Sequence, residues 1–206
     1  MIVALILAAG QSKRMECLKQ LLPLGNGTLL GETICRFQEA SPAAIFVVVG
    51  HEALSIKERL AGLPVKWIEN PHYREGMSSS IREGIRALPS ETEAVLLALG
   101  DLPLIQAVTI RKLMDSFLAS RSELVVPVFR GRLGHPVLFG KSYFRYLERL
   151  TGDKGARDFI QANKEKALFL EVEDPGICCD IDTAEDYERL VEKGTIKNAS
   201  FDQGCR

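Results

Sequence analysis

A chain of 206 residues with 26 Lys and Arg against 27 Asp and Glu carries a net charge of −1, which excludes a broad nucleic-acid surface and confines any basic site to a local cluster. Its length fits one domain, its 46% hydrophobic and 26% charged content is that of a soluble globular protein, and no apolar run approaches the roughly 18 residues that a membrane span needs. The N-terminus lacks a basic lead-in and a small-residue cleavage site, so no secretory signal is expected; five cysteines without a C-x-x-C pair fit reduced thiols in the cytoplasm.

The first apolar run, residues 2–7, reads as a buried central strand. It breaks into Leu7-Ala8-Ala9-Gly10-Gln11-Ser12-Lys13-Arg14-Met15, with Lys19 four residues on. Small residues expose backbone N–H groups that an anion can approach closely. Arg14 adds a planar fork and Lys19 a mobile point charge. Strand, tight loop and cations together describe a polyphosphate site at the carboxyl end of a parallel strand; the alternative is an ordinary strand exit with surface cations. No G-x-G-x-x-G follows the strand and no G-x-x-x-x-G-K-[ST] occurs, so this is neither a dinucleotide fingerprint nor a P-loop. Gly25-Asn26-Gly27 reads as a turn.

Further strands are expected over 44–49, 65–68, 94–99, 124–129, 136–139 and 168–172. Helical patterns fall over 28–39, 53–60, 78–88, 108–118, 142–150, 156–164 and 183–192. Thr28 is a candidate N-cap, Thr183 with Asp186 three residues later approaches a capping box, and Ile110, Leu113, Met114 and Phe117 share one helix face. This alternation predicts an α/β fold of three layers, a mostly parallel sheet with helices on both faces. A hairpin over 125–139, turning at Gly131-Arg132-Leu133-Gly134, adds an antiparallel element. Residues 1–193 read as a single domain, and 194–206 as a polar, frayed tail.

Several carboxylates, hydroxyls and bases stand out along this frame. Asp101 leaves the strand 94–99 in Gly100-Asp101-Leu102-Pro103, where it is either a Mg²⁺ ligand beside phosphates or a turn aspartate. Asp180 and Asp182 alternate between the last strand and the last helix, which suits a second metal contact or a simple helix start. Ser78, Ser79 and Ser80 open a helix; one is an N-cap, and the others can read a base edge or ribose. His135 in Gly134-His135-Pro136 suits a structural histidine, and Lys154 and Arg157 a solvated helix start. His51 and His72 have no partner at metal-ligand spacing, and Arg82 and Arg86 read as a solvated face. Cys178-Cys179 is either a redox or metal pair or two small residues at a strand end, and Cys17 lies in the phosphate loop, where its modification would inhibit. There is no Ser/His/Asp or Cys/His set for nucleophilic catalysis.

Leu7-Ala8-Ala9-Gly10-x-Ser12-x-Arg14-Met15, Lys19 and Leu21-Leu22-Pro23 together resemble the signature of the nucleotidyltransferases related to molybdopterin guanylyl- and cytidylyltransferases. The resemblance continues in Gly76-Met77-Ser78-Ser79-Ser80, Gly100-Asp101-Leu102-Pro103, Gly134-His135-Pro136, Gly152-Asp153-Lys154-Gly155-Ala156-Arg157 and Asp180-Ile181-Asp182-Thr183, covering residues 2 to about 190. It is strongest to the molybdenum cofactor cytidylyltransferase branch. One departure is Glu16, where the family has Gly; a carboxylate beside a triphosphate is unfavourable unless it points away or helps hold a metal.

The resemblance implies a Rossmann-like nucleotidyltransferase fold with a nucleotide half over about 1–105 and an acceptor half over about 106–193. It implies that Leu7, Ala8, Ala9, Gly10, Ser12, Arg14, Lys19, Ser78, Ser79, Ser80 and Asp101 bind the nucleotide. Arg14, Lys19 and Asp101 would be catalytic, Asp101 and Asp182 would hold Mg²⁺ or Mn²⁺, and His135, Lys154 and Arg157 would meet the pterin. An acceptor phosphate then attacks the α-phosphorus and pyrophosphate leaves. The guanylyl type has Gly at the third loop position, where this chain has Ala9, so the implied substrates are CTP and molybdopterin. A molybdenum hydroxylase apo-enzyme is the implied recipient, with no nucleic acid or membrane partner, and the chain is expected as a monomer or weak dimer. The alternatives are GTP as donor, a sugar phosphate or phospholactate as acceptor, and a non-catalytic nucleotide-binding accessory protein, which Glu16 permits. An oxidoreductase is disfavoured by the missing dinucleotide fingerprint.

Overall fold

A computed structural model describes residues 1–12, 15, 17–152 and 156–192, with Arg157 described by its backbone alone. Lys13, Arg14, Glu16, the segment 153–155 with Lys154, and the expected tail 194–206 therefore lie outside the described residues.

Strand β1 (Ile2–Leu7) is apolar throughout and buried from Val3 onward. A 3-10 turn at Lys19–Leu21 leads into a small hairpin, β2 (Pro23–Leu24) and β3 (Gly27–Thr28), which turns at Gly25-Asn26 as expected. Thr28 caps α1 (Leu29–Ala40), its side chain accepting from the Gly31 N–H at 3.1 Å. The alternation continues through β4 (Ile45–Val49), α2 (Ala53–Arg59), β5 (Lys66–Glu69), α3 (Met77–Arg86), β6 (Ala94–Leu99) and α4 (Ala107–Ala119). The second half holds β7 (Leu124–Phe129), β8 (Arg132–Leu133), β9 (Val137–Gly140), α5 (Phe144–Leu147), α6 (Arg157–Ala162), β10 (Leu168–Glu171) and α7 (Ala184–Glu192). Thr183 and Asp186 close the capping box at α7: Asp186 Oδ2 accepts from the Thr183 N–H at 3.0 Å, and Thr183 Oγ1 accepts from the Asp186 N–H at 3.2 Å.

Apart from the separate β2–β3 pair, the strands form one sheet in the order β10-β7-β9-β6-β1-β4-β5, with β8 paired to β7. Only β9 runs against its neighbours along that row, inserted antiparallel between β6 and β7. Side chains of a strand alternate between faces, and β1 divides accordingly. Ala4 and Ile6 join Leu30, Ile34 and Phe37 of α1, Ile56 of α2, and Ile110 and Leu113 of α4. Val3, Leu5 and Leu7 join Ile81 and Ile85 of α3, Leu147 of α5, and Phe159 and Ile160 of α6. Burial on both faces is why the central strands read as unbroken apolar runs. A third cluster, Leu24, Leu29, Ile181 and Leu190, with the Tyr187 hydroxyl donating to Pro23 O at 2.5 Å, brings α7 back over the β2–β3 hairpin. Among the described residues no helix is long and apolar enough to cross a membrane.

Three expectations are corrected. The hairpin turns at Arg130-Gly131, both with positive φ (48° and 76°), while Arg132 and Leu133 already pair back onto β7. A two-residue turn of type I′ needs two left-handed residues, and Arg is an uncommon choice for one of them, so the pattern pointed one step too far along the chain. The helix expected over 142–150 divides into a 3-10 turn at Lys141–Tyr143 and the short α5. Cys178-Cys179 ends a 3-10 turn (Pro175–Cys178) rather than a strand, with the Cys179 thiol 3.1 Å from Pro175 O.

That 3-10 turn buttresses the loop after β6. Buried Asp174 accepts from the Gln106 N–H and the Gly176 N–H, each at 2.9 Å. A Cβ on Gly176 would lie 2.3 Å from Leu104 O and 2.5 Å from its carbonyl carbon. Both contacts are backbone, so a side chain here forces the loop to move. Gly176→Ala should destabilise the protein by about 1–3 kcal/mol, as overpacking does. Thermal denaturation checks this, with a fall in Tm of about 2–4 °C per kcal/mol for a chain of this size. An unchanged Tm would show that the loop yields freely.

Candidate active site

The loops after β1 and β6 meet at the centre of the sheet, where the chain passes from β1 to β4 on one side and has β6 on the other. Such a switch point opens a crevice outside the carboxyl ends of parallel strands. Here it is a cleft of about 680 Å³. Loop residues 7–12 form one wall, the segment Tyr73–Met77 forms another, and Asp101, Asp180, Asp182 and Lys19 lie at its end. The Ala8 N–H is consumed by Val48 O at 2.8 Å. Those of Ala9, Gly10 and Gln11 have no acceptor among the described residues. They form a run of backbone donors on a cleft wall, the arrangement that suits an anion.

Gln20 holds this loop in shape. It is 3% exposed, and its amide donates to Ala8 O at 3.1 Å and Gly10 O at 3.0 Å. Its carbonyl accepts from the Ser12 hydroxyl at 3.3 Å, and Ser12 Oγ in turn accepts from the Lys19 N–H at 3.3 Å. One side chain thus engages the carbonyls of the loop and leaves its N–H groups to the cleft. Sequence reading passed over Gln20; the one signal was a polar residue followed directly by the apolar pair Leu21-Leu22.

Lys19 links the two acidic stretches. Its Nζ donates to Asp101 Oδ2 at 2.5 Å, Asp182 Oδ1 at 2.9 Å and Ile181 O at 3.1 Å. Asp101 is further fixed by its carbonyl, which accepts from the Ile181 N–H at 3.2 Å. Burial opposes the Lys19 charge, but Asp101 and Asp182 outweigh it and hold its pKa above the ordinary 10.5. Burial pushes the Asp101 carboxyl above its ordinary 3.8, against the pull of Lys19. Asp101 Oδ1 is buried and has no hydrogen-bond partner among the described residues. A desolvated carboxylate oxygen without a donor fits a hard cation, and Mg²⁺ takes one or two carboxylates together with phosphate oxygens. No cluster of three or more His, Cys, Asp and Glu at metal-binding distance exists among the described residues, so the protein's own share is this small carboxylate set.

The serine segment differs from expectation. Ser78 and Ser79 are fully buried, and of the three only Ser80 lines the cleft. The Ser79 hydroxyl donates to Gly76 O at 2.8 Å, and the buried Asn70 amide donates to Ser79 Oγ at 2.8 Å and Ser80 Oγ at 2.9 Å. Two of the three hydroxyls thus serve the start of α3, because a helix that enters through a buried corner must satisfy its polar groups internally. Asn70 went unread because a single Asn after a strand looks like any turn. Arg82 is not a solvated residue: it donates to Leu150 O at 2.8 Å and pairs with Glu75 at 2.9 Å, tying the cleft wall to the second half. Arg86 pairs with Glu83 on the exposed face, as expected.

His135 does not line the cleft. Burial holds its pKa below the ordinary 6.5 although the Leu97 backbone, Asp101 and Asp180 pull it upward, and its Nδ1 is enclosed without a partner among the described residues. Its N–H donates to Ile177 O at 2.8 Å, so the residue packs behind the site rather than inside it. Arg157 opens α6. Leu7, Ala8, Ala9, Gly10, Ser12, Lys19, Asp101 and Asp182 come together in one cleft, while the positions of Arg14 and Lys154 lie outside the described residues.

Residues 4–167 match the family model described as the MobA-like NTP transferase domain. The chain is 28% identical over 192 residues to molybdenum cofactor cytidylyltransferase of Escherichia coli, covering 93% of this chain and 96% of that protein. Against the bifunctional protein GlmU of Xanthomonas campestris it is 35% identical over 114 residues, about half of this chain and 25% of that one. Among solved structures, Rv0371c of Mycobacterium tuberculosis superposes with a TM-score of 0.81 at 31% identity, covering 93% of this chain and 98% of that one. A complex of Rv0371c with manganese superposes with a TM-score of 0.79 at 28% identity, covering 93% and 97%.

If Gln20 shapes the donor loop, Gln20→Ala should weaken binding of a nucleoside triphosphate by about tenfold, equivalent to roughly 1.4 kcal/mol. Calorimetric titration checks this. Unchanged affinity would show that the loop holds its form without the clamp.

Proposed function

From the chain's membership of the MobA-like NTP transferase family, we propose that it transfers CMP from CTP to the terminal phosphate of molybdopterin and releases pyrophosphate. The observation that carries this reading is the convergence of Lys19, Asp101 and Asp182 beside a loop whose N–H groups have no acceptor among the described residues. The likeness to the Escherichia coli cytidylyltransferase over nearly the whole of both chains supports the choice of substrates.

In this reading the N–H groups of Ala9, Gly10 and Gln11 cradle phosphate oxygens, and Lys19, with Arg14 from the same loop, offsets charge that develops in the transition state. Asp101 and Asp182 would hold a divalent ion, Mg²⁺ or Mn²⁺, which when bound neutralises triphosphate charge and polarises the α-phosphoryl group. The acceptor's terminal phosphate is already ionised at neutral pH. The chain therefore needs neither a nucleophilic side chain nor a strong general base, and works by alignment and charge stabilisation.

The base lies between the loop and the wall formed by Tyr73–Met77, with Ser80 supplying a hydroxyl. The Ala9 methyl, in place of a glycine, narrows that space and favours a pyrimidine. Lys154, Arg157 and His135, from the acceptor half, meet the pterin and its phosphate. The product, a molybdopterin cytosine dinucleotide, then passes to a molybdenum hydroxylase apo-enzyme.

Pyrophosphate release with each of the four nucleoside triphosphates, Mg²⁺ and molybdopterin tests the proposal. CTP should exceed GTP by at least about tenfold in kcat/KM, a difference of roughly 1.4 kcal/mol in transition-state binding. Asp101→Asn should keep the fold and lose most turnover. A clear GTP preference would overturn the base assignment. Release with a sugar phosphate but not with molybdopterin would overturn the acceptor.

A further inference from the structure

We propose that Lys19 is a latch on the metal site: in the nucleotide-free protein its ammonium occupies the two carboxylates that would hold the divalent ion, so the ion binds weakly until a polyphosphate draws Lys19 away. This rests on the assignment of Asp101 and Asp182 as the metal-holding residues.

An ammonium has three N–H donors, and those of Lys19 are all committed, to Asp101 Oδ2, Asp182 Oδ1 and Ile181 O. In this state none remains for a phosphate, and a cation approaching Asp101 Oδ2 or Asp182 Oδ1 meets a positive charge already in place. The side chains of Lys19 and Asp101 are only 16% and 11% exposed, so solvent screens little of the conflict at Asp101. The pair also resists simple separation, because withdrawing one partner leaves the other buried and uncompensated.

A polyphosphate resolves both difficulties. It offers Lys19 new acceptors on the neighbouring loop, within the sweep of a flexible four-carbon stem. The departing ammonium releases Asp101 Oδ2 and Asp182 Oδ1 just as the ligand's own oxygens become available to a cation. Asp101 Oδ1, without a donor among the described residues, needs no such release. Nucleotide and metal are then positively coupled, and such couplings commonly amount to about 5–150-fold in affinity. The device also keeps the buried Asp101 carboxylate paired with a positive charge while the cleft is empty.

Manganese binding to the nucleotide-free protein, followed by the electron paramagnetic resonance of unbound Mn²⁺, tests the latch in wild type, Lys19→Met, Asp101→Asn and the double variant. Lys19→Met should bind Mn²⁺ alone at least about tenfold more tightly than wild type, within the range of such couplings, and the double variant should lose that gain. Equal affinity in wild type and Lys19→Met would overturn the latch and leave the metal assignment standing. No binding by Lys19→Met, alike with Asp101→Asn, would overturn both. A second measurement needs no variant. The Lys19 ammonium resonance in ¹⁵N NMR should stay in place with Mg²⁺ alone and shift when tripolyphosphate is added with Mg²⁺. Displacement by Mg²⁺ alone would overturn the latch.

Discussion

Three stretches of chain meet at the Lys19 ammonium, which lies 2.5 Å from Asp101 and 2.9 Å from Asp182. Those partners are 82 and 163 residues away along the sequence. Bringing them together needs the parallel pairing of β1 with β6, which sets the loop after each strand at the same edge. It also needs α7 seated on the β2–β3 hairpin, which returns residues 180–182 to that edge. The bridge would not form in a chain that lacked either contact. In turn, the bridge neutralises a carboxylate that burial would otherwise penalise.

Around this point the cleft divides its labour by backbone and side chain. Loop N–H groups supply fixed donors, Gln20 fixes the loop that carries them, and Asp174 fixes the loop that carries Asp101. Support of this kind preorganises a charged site so that little has to move when charge develops. The exception is Lys19, whose hydrogen bonds are spent on the protein's own carboxylates.

Much of this was legible in the sequence because the central strands are buried on both faces. Ile2–Leu7, Ala94–Leu99 and Leu124–Phe129 stand at the bounds their apolar runs indicate, and the three-layer arrangement follows from their alternation with helices. Lys19 and Asp101 were legible for a different reason: charged residues at the exits of buried strands stand out against the apolar runs before them. The two-residue hairpin turn was misplaced because Arg130 adopts a left-handed conformation that composition does not announce. Gln20, Asn70 and Arg82 were missed or misread because their roles are hydrogen bonds to backbone or side chains of other segments. Such roles depend on which segments the fold brings together, and residue type alone does not encode them. Ser79 was misread in the opposite direction, since its hydroxyl suits a ligand and a helix start equally well.

The account turns on one cleft receiving the triphosphate and the divalent ion together. A crystal structure with Mn²⁺ and a non-hydrolysable CTP analogue, read at the manganese absorption edge, addresses that most directly. The account predicts an anomalous peak against Asp101 and Asp182, phosphates against the N–H groups of Ala9, Gly10 and Gln11, and Lys19 turned from the carboxylates to the nucleotide. Manganese and nucleotide bound elsewhere, with the Lys19–Asp101 pair unaltered, would contradict it.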